Sequence, residues 1–294
     1  KAPRMLDTTT LSPKYHFMNF KDGLPLTCEV NSIDSILKHH SIIGDNITPI
    51  PKHYQDKLVL LGVQYDKTAC THLKFYEINQ HSMLESKLNI KLNSFGTFDD
   101  FALTPKHYIL HQHKFDVMLS PYYSLVSKPA AHSEFIIIDK NTKEYYTIPV
   151  YHNIYIPRFV KAHEINGLLE VQFIEYPYYA PNMPPVSTLV TLYIQDRKIA
   201  HHHRTPISID MPVHNDEYNI TYATYSDLHG VCRIRYGKVL DFYGDPNLNY
   251  GEVKLFDDYL SVLCHNTKMK TFNLQIFHSL ALMNGPIAVA EVPV

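Results

Sequence analysis

Residues 134–149 read Glu134-Phe-Ile-Ile-Ile-Asp-Lys-Asn-Thr-Lys-Glu-Tyr-Tyr-Thr-Ile-Pro149. Glu134–Ile138 is a short apolar run rich in β-branched residues, Asp139-Lys-Asn-Thr142 carries turn chemistry, and Tyr145–Ile148 begins a second run. Sixteen residues therefore hold two strands and the turn between them. The same unit recurs outward in both directions. Toward the N-terminus lie Leu58–Tyr65, Leu73–Ile78, Met83–Leu92 and His107–His113. Toward the C-terminus lie Ile154–Val160, Leu168–Ile174, Thr188–Ile194, Tyr222–Tyr225, Val231–Arg235, Tyr259–Cys264, Phe272–Phe277 and Ile287–Val292. Between them stand the turn signals Ile165-Asn-Gly167, Gln195-Asp-Arg197, Gly244-Asp-Pro246 and Asn266-Thr-Lys268. Only Ser32–His40 reads as a short helix, so an all-β sandwich, barrel or propeller is expected.

Composition narrows the functional classes. The 294 residues include 27 Lys and Arg against 29 Asp and Glu, a formal net charge of −2 with His neutral. That balance argues against general binding to nucleic acid or to an anionic membrane. No apolar run approaches the ~18 residues of a membrane-spanning helix. Cys28, Cys70, Cys232 and Cys264 stand far apart, with no zinc-knuckle spacing, and read as buried thiols. The 19 His, 22 Tyr, 10 Gly and absent Trp are unusual. Abundant Asn, Lys, Ile and Tyr fit an AT-rich genome, and the chain starts at Lys1; import into an organelle, the mitochondrion, is the expectation drawn from these.

Several clusters carry possible chemistry. His201-His-His203 lies on an expected hairpin strand, where His201 and His203 share a face and His202 opposes them. The two could chelate a metal together, but two ligands alone do not make a site and no carboxylate or Cys stands at fixed spacing beside them, so a surface or edge-strand cluster is the expectation. His111 and His113 repeat the spacing, and again no metal is required. His39-His40 closes the expected helix, where cations complement the helix dipole. Asp99-Asp100 and Asp257-Asp258 read as solvated turns, because adjacent strand residues offer one carboxylate per face. Tyr176, Tyr178 and Tyr179 open the Pro-dense stretch 176–186, read as a long loop at one face of a single domain. No GxSxG, P-loop, GxGxxG or HExxH motif occurs.

Read in order, a series of segments resembles the carotenoid cleavage oxygenase family, the seven-bladed propellers that hold a non-haem iron on four histidines. Gly23-Leu-Pro-Leu26, Thr48-Pro-Ile-Pro-Lys52 and Phe98-Asp-Asp-Phe-Ala-Leu-Thr104 followed by His107-Tyr-Ile109 carry the resemblance in the first half. Pro157-Arg-Phe-Val-Lys-Ala-His-Glu164, Asp210-Met-Pro-Val-His-Asn215, Asn249-Tyr-Gly-Glu-Val253 and Gly285-Pro-Ile-Ala288 carry it in the second. The resemblance implies a degenerate or incomplete β-propeller of the carotenoid oxygenase type. Residues 1–294 are expected to form one propeller-like domain lacking the family's N-terminal blade region and its last turn.

Carried across residue by residue, the resemblance puts the family's iron ligands on Ile50 (Thr48 if the register slips by two), Asp99 and Arg158, with no counterpart for the fourth. The family's carboxylates that orient those ligands fall on Asp210 and Glu252. None of the three ligand positions is His, so no iron cofactor is expected. Arg158 is expected to occupy the iron position and pair with Asp99, Asp210 or Glu252. The implied function is a non-catalytic structural or interaction subunit of a larger protein assembly, with other subunits covering its open propeller edges. The alternatives are an apocarotenoid- or lipid-binding protein without cleavage activity, and an iron-dependent dioxygenase with relocated ligands at His111, His113, His201 and His203.

Overall fold

The β-branched and aromatic runs are strands throughout the computed structural model. It describes residues 5–12, 15–20, 26–29, 37–39, 46–47, 51–66, 70–79, 84–118, 124–127, 132–150, 152–178, 187–205, 208–214, 219–225, 228–235 and 238–292. The chain divides into two compact units, Lys1–Asn153 and Ile154–Val294.

Among the described residues the first unit holds three larger sheets and one two-stranded hairpin. β1 (Met5–Ser12), β2 (Tyr15–Phe20), β3 (Leu26–Glu29) and β4 (Leu37–His39) form the first. In the second, β5 (Asn46–Ile47) and β6 (Lys52–Tyr54) both pair with β7 (Lys57–Tyr65), which continues to β8 (Thr71–Asn79) and β9 (Leu84–Leu92). The third runs β10 (Phe101–Leu103), β11 (His107–Gln112), then β14 (Glu134–Asp139) and β15 (Tyr145–Pro149), with the hairpin of β12 (Phe115–Met118) and β13 (Ser124–Ser127) inserted after β11.

The second unit repeats the pattern three times. Its first sheet is β16 (Tyr155–Ile165), β17 (Leu168–Tyr176), β18 (Thr188–Gln195) and β19 (Lys198–Arg204). The next is β20 (Ser208–His214), β21 (Asn219–Tyr225), β22 (Leu228–Arg235) and β23 (Lys238–Gly244). The last is β24 (Leu248–Phe256), β25 (Tyr259–Asn266), β26 (Thr271–His278) and β27 (Ala288–Val292). The described sheets are antiparallel, mostly meanders, with β5–β7 and β11–β14 the pairings that skip a strand or hairpin, and the fold is all-β and propeller-like.

Turn chemistry explains the short connections. Asn166 (φ 51°) and Gly167 (φ 79°) take the left-handed conformations of a two-residue hairpin turn, and Asp196 (φ 49°) and Arg197 (φ 61°) do the same between β18 and β19. Asp139 Oδ1 accepts from the backbone N–H groups of Asn141 at 2.8 Å and Thr142 at 2.9 Å. Those donors, led by Thr142, hold its carboxyl below the ordinary range.

The expected helix Ser32–His40 is not borne out where it can be seen. Leu37–His39 is strand β4, paired with β3 through Cys28↔Leu37 and Leu26↔His39; residues 32–36 and His40 lie outside the described residues. A three-residue piece has little helix-forming strength of its own, and pairing to a neighbouring strand overrides it.

Apolar side chains fill the spaces between successive sheets. Val59, Leu61, Phe75, Phe101, Tyr108 and Ile138 join the second sheet to the third, with Phe75 stacked on Tyr108 at 3.8 Å. In the other unit, Val160, Ile174, Leu189, Ala223 and Cys232 join its first two sheets, and Ile220, Val231, Val253, Val262 and Phe277 join the second to the third. Middle strands are covered on both faces, which is why Leu58–Val63 is buried without alternation. The last sheet differs. Its face opposite Val262 and Phe277 leaves Phe256, Tyr259, Leu263, Phe272 and Leu274 exposed, with Leu263 directly opposite Leu274 across β25 and β26.

Candidate functional site

In each sheet from the second to the sixth, pairing along the first strand is interrupted. On β7, Ile47 faces Gly62 but Lys52 faces Val59, so the pairing is out of step by two between β5 and β6. On β11, the isolated bridge Thr97↔His113 is out of step with Phe101↔Leu110, leaving 98–100 between them. β16 shifts between Tyr155 and Arg158, β20 between Asp210 and Val213, and β24 between Tyr250 and Val253. Such bulges free residues from the ladder and re-aim their side chains, and they gather beside functional sites.

The sequence-derived positions fall on these interruptions. Ile50 and Thr48 lie outside the described residues, in the gap between β5 and β6. Asp99 lies in the gap before β10, Arg158 is where β16 resumes pairing, Asp210 is the last residue before the break in β20, and Glu252 is inside the break in β24. Within the second unit β20 touches both β16 and β24, so three of the breaks come from neighbouring strands. In the first unit β6 touches β10.

The chemistry at these breaks is not that of an iron centre. Asp99 is exposed and Arg158 is half-buried on β16. No ion pair of Arg158 occurs among the described residues, and the side chains of Asp210 and Glu252 lie outside them. The expected pairing of Arg158 with Asp99, Asp210 or Glu252 is therefore not seen among the described side chains. An iron that binds dioxygen needs neutral imidazoles and open positions. Ile50 has no lone pair, Asp99 is a carboxylate open to water, and Arg158 brings a permanent cation. Among the described residues no group of three or more His, Cys, Asp or Glu is placed to hold a metal ion. The residues at these positions do not fit iron.

What the sequence hid is the buried residue beside Asp99. The pair Asp99-Asp100 was expected to be a solvated turn. Asp100 instead is buried and accepts from Lys52 Nζ at 2.9 Å, tying β6 to the start of β10. The ordering cause is the bulge, which turns Asp100 inward while Asp99 faces solvent. A second hidden partner is His229 on β22. Its Nδ1 accepts the Tyr250 backbone N–H at 3.0 Å, beside the break in β24, so the ring proton is on Nε2. Burial lowers its pKa, favouring that neutral form.

The remaining candidates separate by burial. His111 and His113 are buried at the end of β11; His111 packs edge-on against Phe135 at 5.3 Å, and its Nε2 has no hydrogen-bond partner. Burial, then the neighbouring His113 and Lys114, hold His111 well below its ordinary pKa. His201, His202 and His203 are exposed on β19, as the edge-strand reading expected. His39 lies on β4. Asp257 and Asp258 form an exposed turn. Tyr176 is half-buried, 6.3 Å from Tyr155, and Tyr178 is exposed; Tyr179 and residues 180–186 lie outside the described residues. Cys232 and Cys264 are buried, with burial pushing both thiols up to about 12, whereas Cys70 is only half-buried just before β8, where its backbone N–H donates to Asp66 Oδ1 at 3.0 Å. The side chain of Cys28 lies outside the described residues.

No protein-family model matches the sequence, and no curated protein does. Solved structures match the fold. A single-residue variant of Synechocystis apocarotenoid oxygenase superposes with a TM-score of 0.80 at 16% identity, over 95% of this chain and 69% of that one. The cobalt-substituted form of the same enzyme gives 0.81 at 15% identity over the same shares. A chimera of that oxygenase with RPE65 gives 0.79 at 15% identity, again over 95% and 69%. The chain has a carotenoid oxygenase-like fold. No helix among the described residues is long and apolar enough to cross a membrane.

Proposed function

We propose that this chain is a carotenoid oxygenase-like propeller domain, over residues 1–294, that does not cleave carotenoids and acts as an interaction subunit of a larger protein assembly. The observation that carries the reading is the mismatch between scaffold and donors. Four described strand breaks and the gap around Ile50 are present, while the residues there are Ile50, Asp99 and Arg158 rather than imidazoles. A guanidinium where a dication would sit repels the metal that the reaction requires. The uncovered face of the last sheet supports the interaction role. Its opposite face is packed by a neighbouring sheet through Val253, Val262 and Phe277, and an apolar sheet face of this kind is stably buried by a second sheet.

The test is metal analysis of the purified chain after incubation with ferrous iron, together with an assay for oxidative cleavage of an apocarotenal. Less than a tenth of an iron per chain and no cleaved product are expected, as an order-of-magnitude threshold from the ligand requirement. One iron per chain with turnover would overturn the proposal.

A further inference from the structure

We propose that β19 carries a two-imidazole site for a divalent transition-metal ion such as Ni²⁺ or Zn²⁺, held by His201 and His203. The strand pairs regularly with β18 across this stretch, Tyr193↔His201, Leu192↔His202 and Thr191↔His203, and the bulge in the pair falls before it, near Ala200. Unbroken register puts His201 and His203 on one face and His202 on the other. All three are exposed, and β19 is the last strand of its sheet, so both ligands are open to solvent from the edge. Tyr193 stacks on the His201 ring, centroids 4.1 Å apart and planes 19° apart. Stacking fixes the ring plane but leaves its nitrogens free, because a metal binds an imidazole nitrogen in the plane of the ring at about 2.0–2.1 Å.

Charge placement favours the same face. Arg204 shares the face of His202, and its guanidinium is engaged by the Glu175 carboxylate at 2.6 Å, so the fixed cation nearest the pair is neutralised on the far side of the strand. Imidazole nitrogens suit Zn²⁺, Ni²⁺ and Cu²⁺, with water completing the coordination sphere. Acid displaces the metal, because only neutral imidazole ligates. The site stands apart from the strand breaks and does not rest on the reading of them.

The experiment is calorimetric titration of the full chain with NiCl₂ at pH 7.5, comparing the wild type with His201→Ala, His202→Ala and His203→Ala. These side chains are exposed, so a far-ultraviolet circular dichroism spectrum should show all four proteins equally folded. Losing one of two linked ligands removes the chelate advantage, so His201→Ala and His203→Ala should each weaken binding about ten-fold or more. His202→Ala should leave the affinity unchanged. Equal weakening by all three substitutions would mean a generic histidine run and overturn the site. So would the absence of wild-type binding, or binding that survives the double variant His201→Ala/His203→Ala.

Discussion

Asp100 has a side chain with 0% exposure, 2.9 Å from Lys52 Nζ, and the two residues are 48 positions apart in the chain. Removing one partner of such a pair leaves a charge in a poorly solvated place, which costs more than the pair contributes as a unit. Lys52→Met should therefore lower the unfolding free energy by about 3 kcal/mol in urea titrations, and Asp100→Asn should cost less because it removes the charge itself. His111 makes the opposite case. Its buried Nε2 lacks a partner and its ring lies against Phe135, so His111→Leu should stabilise the protein by about 1 kcal/mol. His111 and His229 also give stability a pH dependence. Both have pKa values lowered from 6.5 by burial, so the unfolded chain takes up their protons first. Their contribution is fully present above pH 6.5 and is lost as pH falls toward the lowered folded values. Urea midpoints measured from pH 7.5 to pH 5 should fall, and His111→Leu should flatten that decline.

The strands divide into those that their residues announce and those that only the sheet explains. Middle strands such as β7, β11, β14 and β17 are buried on both faces, so they appear as continuous apolar runs. The first strands of the sheets are harder to read because bulges cut them short. β10 has three residues, β5 has two, and β20 contains Pro212. Outer strands are harder still: β19 reads Lys-Ile-Ala-His-His-His-Arg, with no buried residue to mark its face. The resemblance placed Asp99, Arg158, Asp210 and Glu252 at the breaks, but the breaks themselves are properties of register between strands. No local pattern could show that Asp100 meets Lys52. Register also makes a sharp demand at Gly230, which faces Gly244 across β22 and β23. A Cβ there would lie 2.2 Å from the Tyr243 carbonyl oxygen and 2.7 Å from the Phe242 ring. Gly230→Ala should cost more than about 2 kcal/mol by forcing β23 away from β22, read as an earlier melt of the second unit.

The second sheet packs on the third, and the sheets of the second unit pack in succession, but the last sheet leaves one face exposed. Leu263 is 46% exposed and Leu274 is 38% exposed, side by side on one surface. If that surface seats another chain, Leu263→Asp and Leu274→Lys should each abolish co-elution of the native complex on size exclusion and leave the melting temperature of the isolated chain nearly unchanged. A fall in melting temperature with co-elution intact would instead assign the face to internal packing. The meander order carries a consequence for how the chain acquires its structure. Almost every hydrogen-bonded strand pair joins neighbours in sequence, so each sheet closes over short loops, the topology associated with fast folding. During synthesis the sheets can form in the order in which they leave the ribosome, each templating the apolar face of the next. The pairing of β11 with β14 is the longest departure, because it must close around the β12–β13 hairpin, whereas β5 reaches β7 past the short β6 alone. Loop closure over that insertion has the largest entropic cost in the first unit, so amides of β14 should be the last there to gain protection in pulse-labelled hydrogen exchange.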